Sequence, residues 1–487
     1  MRTRSLLGLG AAALGGLAAY DLTQRHHAVL RNYPVVGHAR YLMERFGPEL
    51  RQYVVASNDE ERPFTRDQRR WVYASSKLEN AYVGFGTDND VERTVGYPIV
   101  KHRTFGVGPG THPHSEEGVP LPGLKVLGGP RGRRHAFTPA SVVNISGMSF
   151  GSLSHAAVEA LDEGAARAGA WHNTGEGGLS PYHRRGADLV FQIGTAYFGC
   201  RDAQGRFDLD RLVDLVASAP VRAIEIKLSQ GAKPGLGGLL PGAKVTPEIA
   251  EIRGIEVGKD CASPSRHTAF SDVDSMLDLV ETIADATGLP VGIKSAVGNL
   301  DFWEELVAQM SAGDRGVDFV NVDGGEGGTG AAPLIFSDAV AYPFRIGFAE
   351  VRRRFDAAGL SDDLTFIGAG KLGIPENAVV AFALGADLVN VGREAMLALG
   401  CIQAQKCHTD RCPVGVATQD PRFVRGLDVP LKAERVANYL VSLRRDLLKV
   451  AEAVGVDHPA RITVDDVDIV DGVTERRSLR EVYGYVD

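Results

Sequence analysis

From about residue 138 the chain settles into a regular alternation of short apolar runs and longer amphipathic stretches. The apolar runs read as strands at Val142–Ser146, Trp171–Thr174, Leu189–Ile193, Ala223–Lys227, Val291–Lys294, Phe319–Val322, Thr365–Gly368 and Leu388–Val391. Helical spacing follows most of them, at Ser154–Ala168, Asp208–Ala217, Asp272–Ala286, Phe302–Met310, Phe344–Ala357, Pro375–Leu384 and Glu394–Leu399. Strands without polar alternation, separated by helices, predict a parallel sheet covered on both faces. Eight such units within about 260 residues have the size of a closed α/β barrel, the (β/α)8 or TIM barrel. An open doubly wound sheet is the alternative, but that fold more often uses about five to seven strands.

The flanks read differently. Residues 26–137 form a helical and loop-rich extension, with helical spacing at Ala39–Phe46 and Asp67–Ser75 and breaks expected at Pro34, Pro48 and Pro63. Tyr82–Asp90 and Lys101–Gly132 read as loops. The barrel occupies 138–425, and 426–487 reads as a tail of one long helix, about Leu431–Val454, with a short end.

Residues 1–25 carry the membrane signal. Ser5 to Tyr20 is free of charge, rich in Leu, Ala and Gly, and preceded by Arg2 and Arg4. As a helix it is about 24 Å long, against roughly 30 Å of bilayer hydrocarbon. A cleaved secretory signal competes, but Tyr20-Asp21-Leu22 is not a small-x-small site and no twin-arginine motif is present. The expectation is a short anchor at the inner membrane, associating with it or spanning it, and a cytoplasmic body.

Composition removes other classes. Apolar residues are 44% and charged residues 23% of 487, ordinary for a globular protein, and a net charge of −8 leaves no footprint for nucleic acid. Five cysteines in this length are not a disulfide framework. Three of them, Cys401, Cys407 and Cys412, fall within one short segment that ends Cys412-Pro413. Thiolates bunched in this way suit an iron–sulfur cluster, and three without a local fourth favour three irons over a cubane. Zinc with His408 as a fourth ligand, or three idle thiols, are the alternatives.

In a barrel, chemistry collects at the C-terminal ends of the strands. There the sequence places Ser146-Gly147-Met148-Ser149, Glu176 within a glycine loop, Gln230 and Lys233, Lys294, and Asp323-Gly324. The last two strands lead into Gly368-Ala369-Gly370-Lys371 and Gly392-Arg393, a phosphate cradle with added positive charge. Gly368, Gly370 and Gly373 also spell G-x-G-x-x-G, but Asn390 stands where a dinucleotide site wants an acid. Lys294, ending an apolar strand, is the candidate cation beside a flavin, with a solvated rim lysine as the plain alternative. Lys233 and Arg253 are candidates to hold a dicarboxylate. Glu176 either orients substrate or flavin or caps a turn.

Asn144–Ser154, Asn173–Gly178, Lys227–Gly235 and Cys401–Gln419, taken in order, closely resemble the FMN-binding synthase domain of glutamate synthases. The resemblance runs from about Val142 to Gln419. It implies FMN and a 3Fe-4S cluster on Cys401, Cys407 and Cys412. It implies that 2-oxoglutarate and ammonia form an imine, reduced to glutamate by hydride from the flavin with electrons passing through the cluster. The large members of that family carry a glutaminase domain and a β-helical domain, and neither is recognisable in this sequence; the chain looks like a stand-alone branch. A substrate-contacting Gln of the family is replaced by Leu239, which leaves room for a different amino- or oxo-acid substrate. No flavin–nicotinamide module is recognisable, so electrons are expected from ferredoxin or a reductase. A non-catalytic electron-transfer subunit is the third reading, and a homo-oligomer is compatible with all three.

Overall fold

A computed structural model describes residues 2–24, 28–55, 60–79, 84–87, 89–92, 94–106, 119–472 and 474–486. The chain divides into two compact units, Met1–Asp67 and Gln68–Asp487. The larger is built on eight parallel strands: β1 Val143–Ile145, β2 His172–Asn173, β3 Leu189–Ile193, β4 Val221–Lys227, β5 Val291–Ser295, β6 Phe319–Asp323, β7 Thr365–Ala369 and β8 Leu388–Val391. They close into a barrel in sequence order, with β8 returning to β1 through Val389↔Val143, Asn390↔Asn144 and Val391↔Ile145. Almost every strand residue is buried, which is why these runs show no polar alternation. The fold is the expected (β/α)8 barrel.

Its helices are α1 His155–Ala168, α2 Leu209–Ala217, α3 Val273–Thr287, α4 Asp301–Ala312, α5 Phe344–Ala357, α6 Pro375–Ala383, α7 Arg393–Leu399 and α8 Val429–Val454. Short polar residues start several of them. Ser154, Asp208, Asp272 and Asp428 each accept a backbone N–H in the first turn, satisfying a donor the helix leaves open. No α-helix separates β2 from β3; a 3₁₀ turn, Pro181–His183, stands there instead.

The region beyond residue 425 does more than the expected tail. Helix α8 lies along α1 and buries Val436, Leu440, Leu443 and Leu447, spaced for one helical face. The buried Arg444 donates to the Ala168 carbonyl at 2.7 Å, satisfying the C-terminal end of α1. Burial pulls its pKa down to about 10. Past α8, Val467–Val470 pairs antiparallel with Pro98–Val100 on one side and Arg476–Ser478 on the other. This three-stranded sheet links the two flanks, and two of its strands lie in the end expected only as a short tail.

The smaller unit contains the helices Arg2–Thr23, Ala28–Asn32 and His38–Leu50, the last running into a π-helical turn, Arg51–Val55. Pro48 does not end the helix as expected. Buried Asp21 accepts from the Val35 N–H at 2.8 Å and meets His38 Nε2 at 2.9 Å. The apolar N-terminal stretch is helical, but among the described residues no helix is long and apolar enough to cross a membrane. That corrects the spanning part of the anchor expectation. Arg2, Arg4 and Asp21 fall inside the helix, and Gly and Ala carry much of what remains. Parts of the expected loops at Tyr82–Asp90 and Lys101–Gly132 lie outside the described residues.

Where α8 crosses α1, a Cβ on Gly164 would come 2.7 Å from the Ala433 carbonyl oxygen and 2.7 Å from Val436 Cβ. Overpacking of this kind costs about 1–3 kcal/mol. Gly164→Val should therefore lower the midpoint of urea unfolding; an unchanged midpoint would mean that the helices have room to part.

Candidate active site

The ends of the barrel strands surround a cavity of about 220 Å³. Of the expected site residues, Ser146, Gly147, Met148, Ser149, Glu176, Gln230, Lys233, Arg253, Lys294, Asp323, Gly370, Lys371, Gly392 and Arg393 all line it. Gly324 and Gly368 do not. A Cβ on Gly368 would meet Leu372 and the Phe344 ring at 2.8 Å, and one on Gly324 would meet Glu326 and the start of α5. These two glycines serve close packing behind the wall. Cys407 is the one expected metal ligand that lines the cavity, and Cys401 and Cys412 lie outside it.

One buried carboxylate fixes the floor. Glu225, in the middle of β4, accepts from Asn173 Nδ2 at 2.8 Å, Gln192 Nε2 at 2.6 Å and Asn321 Nδ2 at 2.7 Å. Four strands, β2, β3, β4 and, across β5, β6, thereby share one hydrogen-bonded centre. Lys294 at the end of β5 stands 3.5 Å from Asp323 at the end of β6. Burial works against its charge, but Asp323 and Glu225 outweigh it and hold its pKa above the ordinary lysine value. Asp323 also accepts from the Gly231 N–H at 2.9 Å.

A second charged group forms the side wall. Lys227 Nζ lies 2.9 Å from Glu176 and donates to Gln230 Oε1 at 2.6 Å. Burial would raise the Glu176 pKa; Lys227, with Lys233 and Arg253 behind it, brings it below the usual carboxylate range instead. The glutamate of the second loop is thus the partner of a lysine across the side wall. Lys233 donates to the Ala331 carbonyl at 3.3 Å, and Arg253 to the Phe150 carbonyl at 3.0 Å. Arg253 also stacks 5.2 Å from the Phe198 ring centroid.

The far end suits a phosphate. Gly370, at φ +110°, and Lys371 follow β7, while Gly392 and Arg393 follow β8. A Cβ on Gly392 would meet only Met148 Cε at 3.3 Å and Ser146 Cβ at 3.9 Å, so the cavity keeps open space against backbone here. Asn390 is buried, lines the cavity, and its Oδ1 has no hydrogen-bond partner. An orphaned acceptor and bare backbone beside two cations fit a bound polar ring system with a phosphate.

The cysteine loop follows α7 directly. It turns through left-handed conformations at Gln403, Gln405 and Asp410, with φ between 54° and 58°. The Gln403 N–H points to Cys401 Sγ at 3.4 Å, and Tyr73 donates to the Cys401 carbonyl at 2.6 Å. Gln419 ties the end of the loop to the Gly151 and Leu153 carbonyls at 3.1 and 2.8 Å. Burial pushes the Cys401 thiol up to about 12, and the neighbouring Cys407 and Cys412 add to the rise. The sulfurs are mutual neighbours, yet among the described residues no three His, Cys, Asp or Glu side chains are placed to hold a single metal ion. All five cysteines are free.

Several participants escaped the sequence reading. Glu225 was detectable as a lone acid inside an apolar strand, and Lys227 as that strand's terminal cation. Gln192 and Tyr73 carried no local signal. Neither did Lys244, which is buried and donates to the Ser152 carbonyl at 2.6 Å and the Cys407 carbonyl at 3.2 Å. Burial lowers its pKa, while Asp410, Cys407 and Cys412 act against that shift.

The fold and the site together define a (β/α)8 enzyme barrel whose strand-end cavity is shared with a cysteine loop. Residues 133–457 match the family described as the conserved region in glutamate synthase. The chain belongs to the glutamate synthase family. It is 37% identical over 477 residues to the glutamate synthase large subunit-like protein YerD of Bacillus subtilis, covering 92% of this chain and 90% of that protein. It is 36% identical over 321 residues to the archaeal-type glutamate synthase [NADPH] of a Thermotoga strain, covering 65% of this chain and 59% of that enzyme. A ferredoxin-dependent glutamate synthase of Cyanidium caldarium is 32% identical over 336 residues, which is 65% of this chain but 21% of that enzyme. A solved chimera of (S)-mandelate dehydrogenase shares 14% identity, covering 82% of this chain and 98% of that one, at a TM-score of 0.47.

Two outcomes follow from the site's charges. Glu225→Leu leaves three buried amides without their acceptor, at about 1–3 kcal/mol for each group left unmet. It should lower the unfolding midpoint far more than Glu225→Gln, and equal midpoints would remove the carboxylate from its central place. The second concerns pH. A carboxylate with a lowered folded pKa stabilises above its unfolded value, about 4.3, and that contribution disappears as pH falls through the folded value. Lys227→Met, which removes the main partner of Glu176, should therefore be less stable than wild type near neutrality. The gap in urea midpoints should close as the solution is acidified, and a gap independent of pH would contradict the pairing.

Proposed function

We propose that this chain is an FMN- and iron–sulfur-dependent glutamate synthase that aminates 2-oxoglutarate with ammonia, using electrons from an external donor such as ferredoxin or a reductase. As a member of its family it is an oxidoreductase acting on CH–NH2 donors. The observation that carries the finer reading is the single cavity lined at once by the phosphate-type end, the cationic wall and Cys407. Ser146–Ser149, Gln230, Lys294, Asp323, Gly370, Lys371, Gly392 and Arg393 would hold FMN, which when bound supplies the hydride. Lys294, a buried cation at the end of β5, would favour negative charge on a flavin bound beside it.

Lys233 and Arg253, which line the cavity, would bind the two carboxylates of the oxo acid, the guanidinium in bidentate fashion. Glu176 is ionised and can accept a proton at its carboxylate as ammonia adds to the carbonyl, with Lys227 holding it in place. Cys401, Cys407 and Cys412 would hold the 3Fe-4S cluster. A cluster takes its thiolates on separate irons, and three cysteines in one short loop supply that donor set.

Leu239 supports a second reading. It lines the cavity while 47% exposed, and an apolar side chain at the mouth favours an oxo acid other than 2-oxoglutarate. Anaerobic purification with flavin, iron and labile sulfide analysis, then turnover with ammonium, reduced ferredoxin and a panel of 2-oxo acids, separates the two. Glutamate as the main product from 2-oxoglutarate supports the first; a preference for apolar oxo acids supports the second. Released flavin running as FAD would overturn both.

Cys407→Ser tests the ligand set. A hydroxyl replaces a thiolate poorly on iron, and Cys200 and Cys261 lie on other loops of the barrel. Iron and labile sulfide should fall severalfold while FMN stays stoichiometric and dithionite still bleaches it. Normal iron content would remove Cys407 from the set.

A further inference from the structure

Lys244 is the buried charge that the reading above leaves unused. It ends the 3₁₀ turn Gly242–Lys244, in the long excursion between β4 and α3, and is 2% exposed. The excursion is closed on itself by the pairing of Leu239–Leu240 with Cys261–Ala262. The Gly242 N–H is also held by Asp260 at 2.6 Å. This places the ammonium inward, where it donates to two carbonyls of separate segments. Ser152 follows the loop assigned to the flavin, and Cys407 belongs to the loop assigned to the cluster. Both residues line the cavity. Asp410, the carboxylate whose charge supports Lys244 most, has its own Oδ1 occupied by the Gln419 N–H at 2.7 Å. A lysine needs a reason to be buried among carbonyls and thiols, since desolvating an ammonium costs several kcal/mol.

We propose that Lys244 is a positioning residue that joins the cysteine loop to the flavin loop and raises the reduction potential of the group the cysteines hold. The inference rests on the cofactor reading above. The physical ground is its fixed positive charge. One electron entering from the external donor makes the cluster more negative, and a desolvated cation beside it stabilises that state more than the oxidised one. Screening by water is weak at this depth. The same two hydrogen bonds hold the loops in register, so charge and geometry are supplied by one side chain.

The test is an anaerobic redox titration of the full-length holoprotein, followed by electron paramagnetic resonance, for wild type, Lys244→Met, Lys244→Gln and Lys244→Arg. Iron, sulfide and FMN contents are measured in parallel. With the charge removed, the reduced-to-oxidised ratio at a fixed potential should fall at least tenfold, a shift of about 59 mV for one electron. Lys244→Arg should stay close to wild type. Full cluster content with an unchanged midpoint in Lys244→Met and Lys244→Gln overturns the proposal while leaving the cofactor reading intact. If both variants lose their cluster and Lys244→Arg keeps it, the charge is needed to hold the loops and the positioning role stands. Loss from all three, arginine included, overturns the role of charge. Wild type without labile sulfide overturns the cofactor reading itself.

Discussion

The arrangement depends above all on the Glu225 carboxylate, desolvated inside the barrel and made tolerable by three amide donors. A buried charge without such partners costs several kcal/mol, so the donors and the acid constrain one another. Asn173 also turns its Oδ1 to the Gly175 N–H at 3.0 Å, and that glycine begins the loop carrying Glu176. Asn321 lies two residues before Asp323 on β6, and Glu225 itself supports the charge on Lys294. The positions of the catalytic candidates thus follow from one centre rather than from separate loop choices. A barrel makes this economical, because neighbouring strands bring inward-facing residues into common layers.

The cavity is strongly polarised. Lys227, Lys233, Arg253, Lys294, Lys371 and Arg393 face Glu176, Asp323 and Glu394 across it, in a chain whose net charge is −8. A walled cleft of positive sign inside an acidic protein concentrates small anions and raises their rate of capture. Two of the anions are committed: Glu176 to Lys227, and Asp323 to Lys294 and the Gly231 N–H. Lys371 and Arg393 stand at the ends of β7 and β8, and Lys233 and Arg253 in and beyond the β4 loop, so the positive charge is spread over two sides of the cavity.

What the sequence made legible was local. The eight strands are short, buried and unalternating, so periodicity located them almost to the residue, and glycine loops marked the strand ends. The cysteine spacing was equally local. What it concealed was long-range: Pro98–Val100 pairs with Val467–Val470 across most of the chain, and neither run is distinctive alone. Tyr73 and Lys244 reach the cysteine loop from segments whose own patterns look unremarkable. Gly368 shows the converse error. A glycine motif suggested ligand contact, but the nearest atoms belong to Phe344 and Leu372. Sequence distinguishes where the backbone must be bare, and only packing shows what approaches it.

The cysteine loop brings these strands of argument together. It leaves the barrel after β8 and α7, is clamped by Tyr73 from before the barrel and by Lys244 from the β4 excursion, and is sewn to the β1 loop by Gln419. Three non-glycine residues in the left-handed region would be costly in a free loop, at about 1–3 kcal/mol each, and persist because these clamps over-determine the path. Such a loop does not rearrange readily. A frame fixed in this way holds the three cysteines and the cavity wall at Cys407 in one register, so the path of the loop is set by its neighbours and not by its own residues.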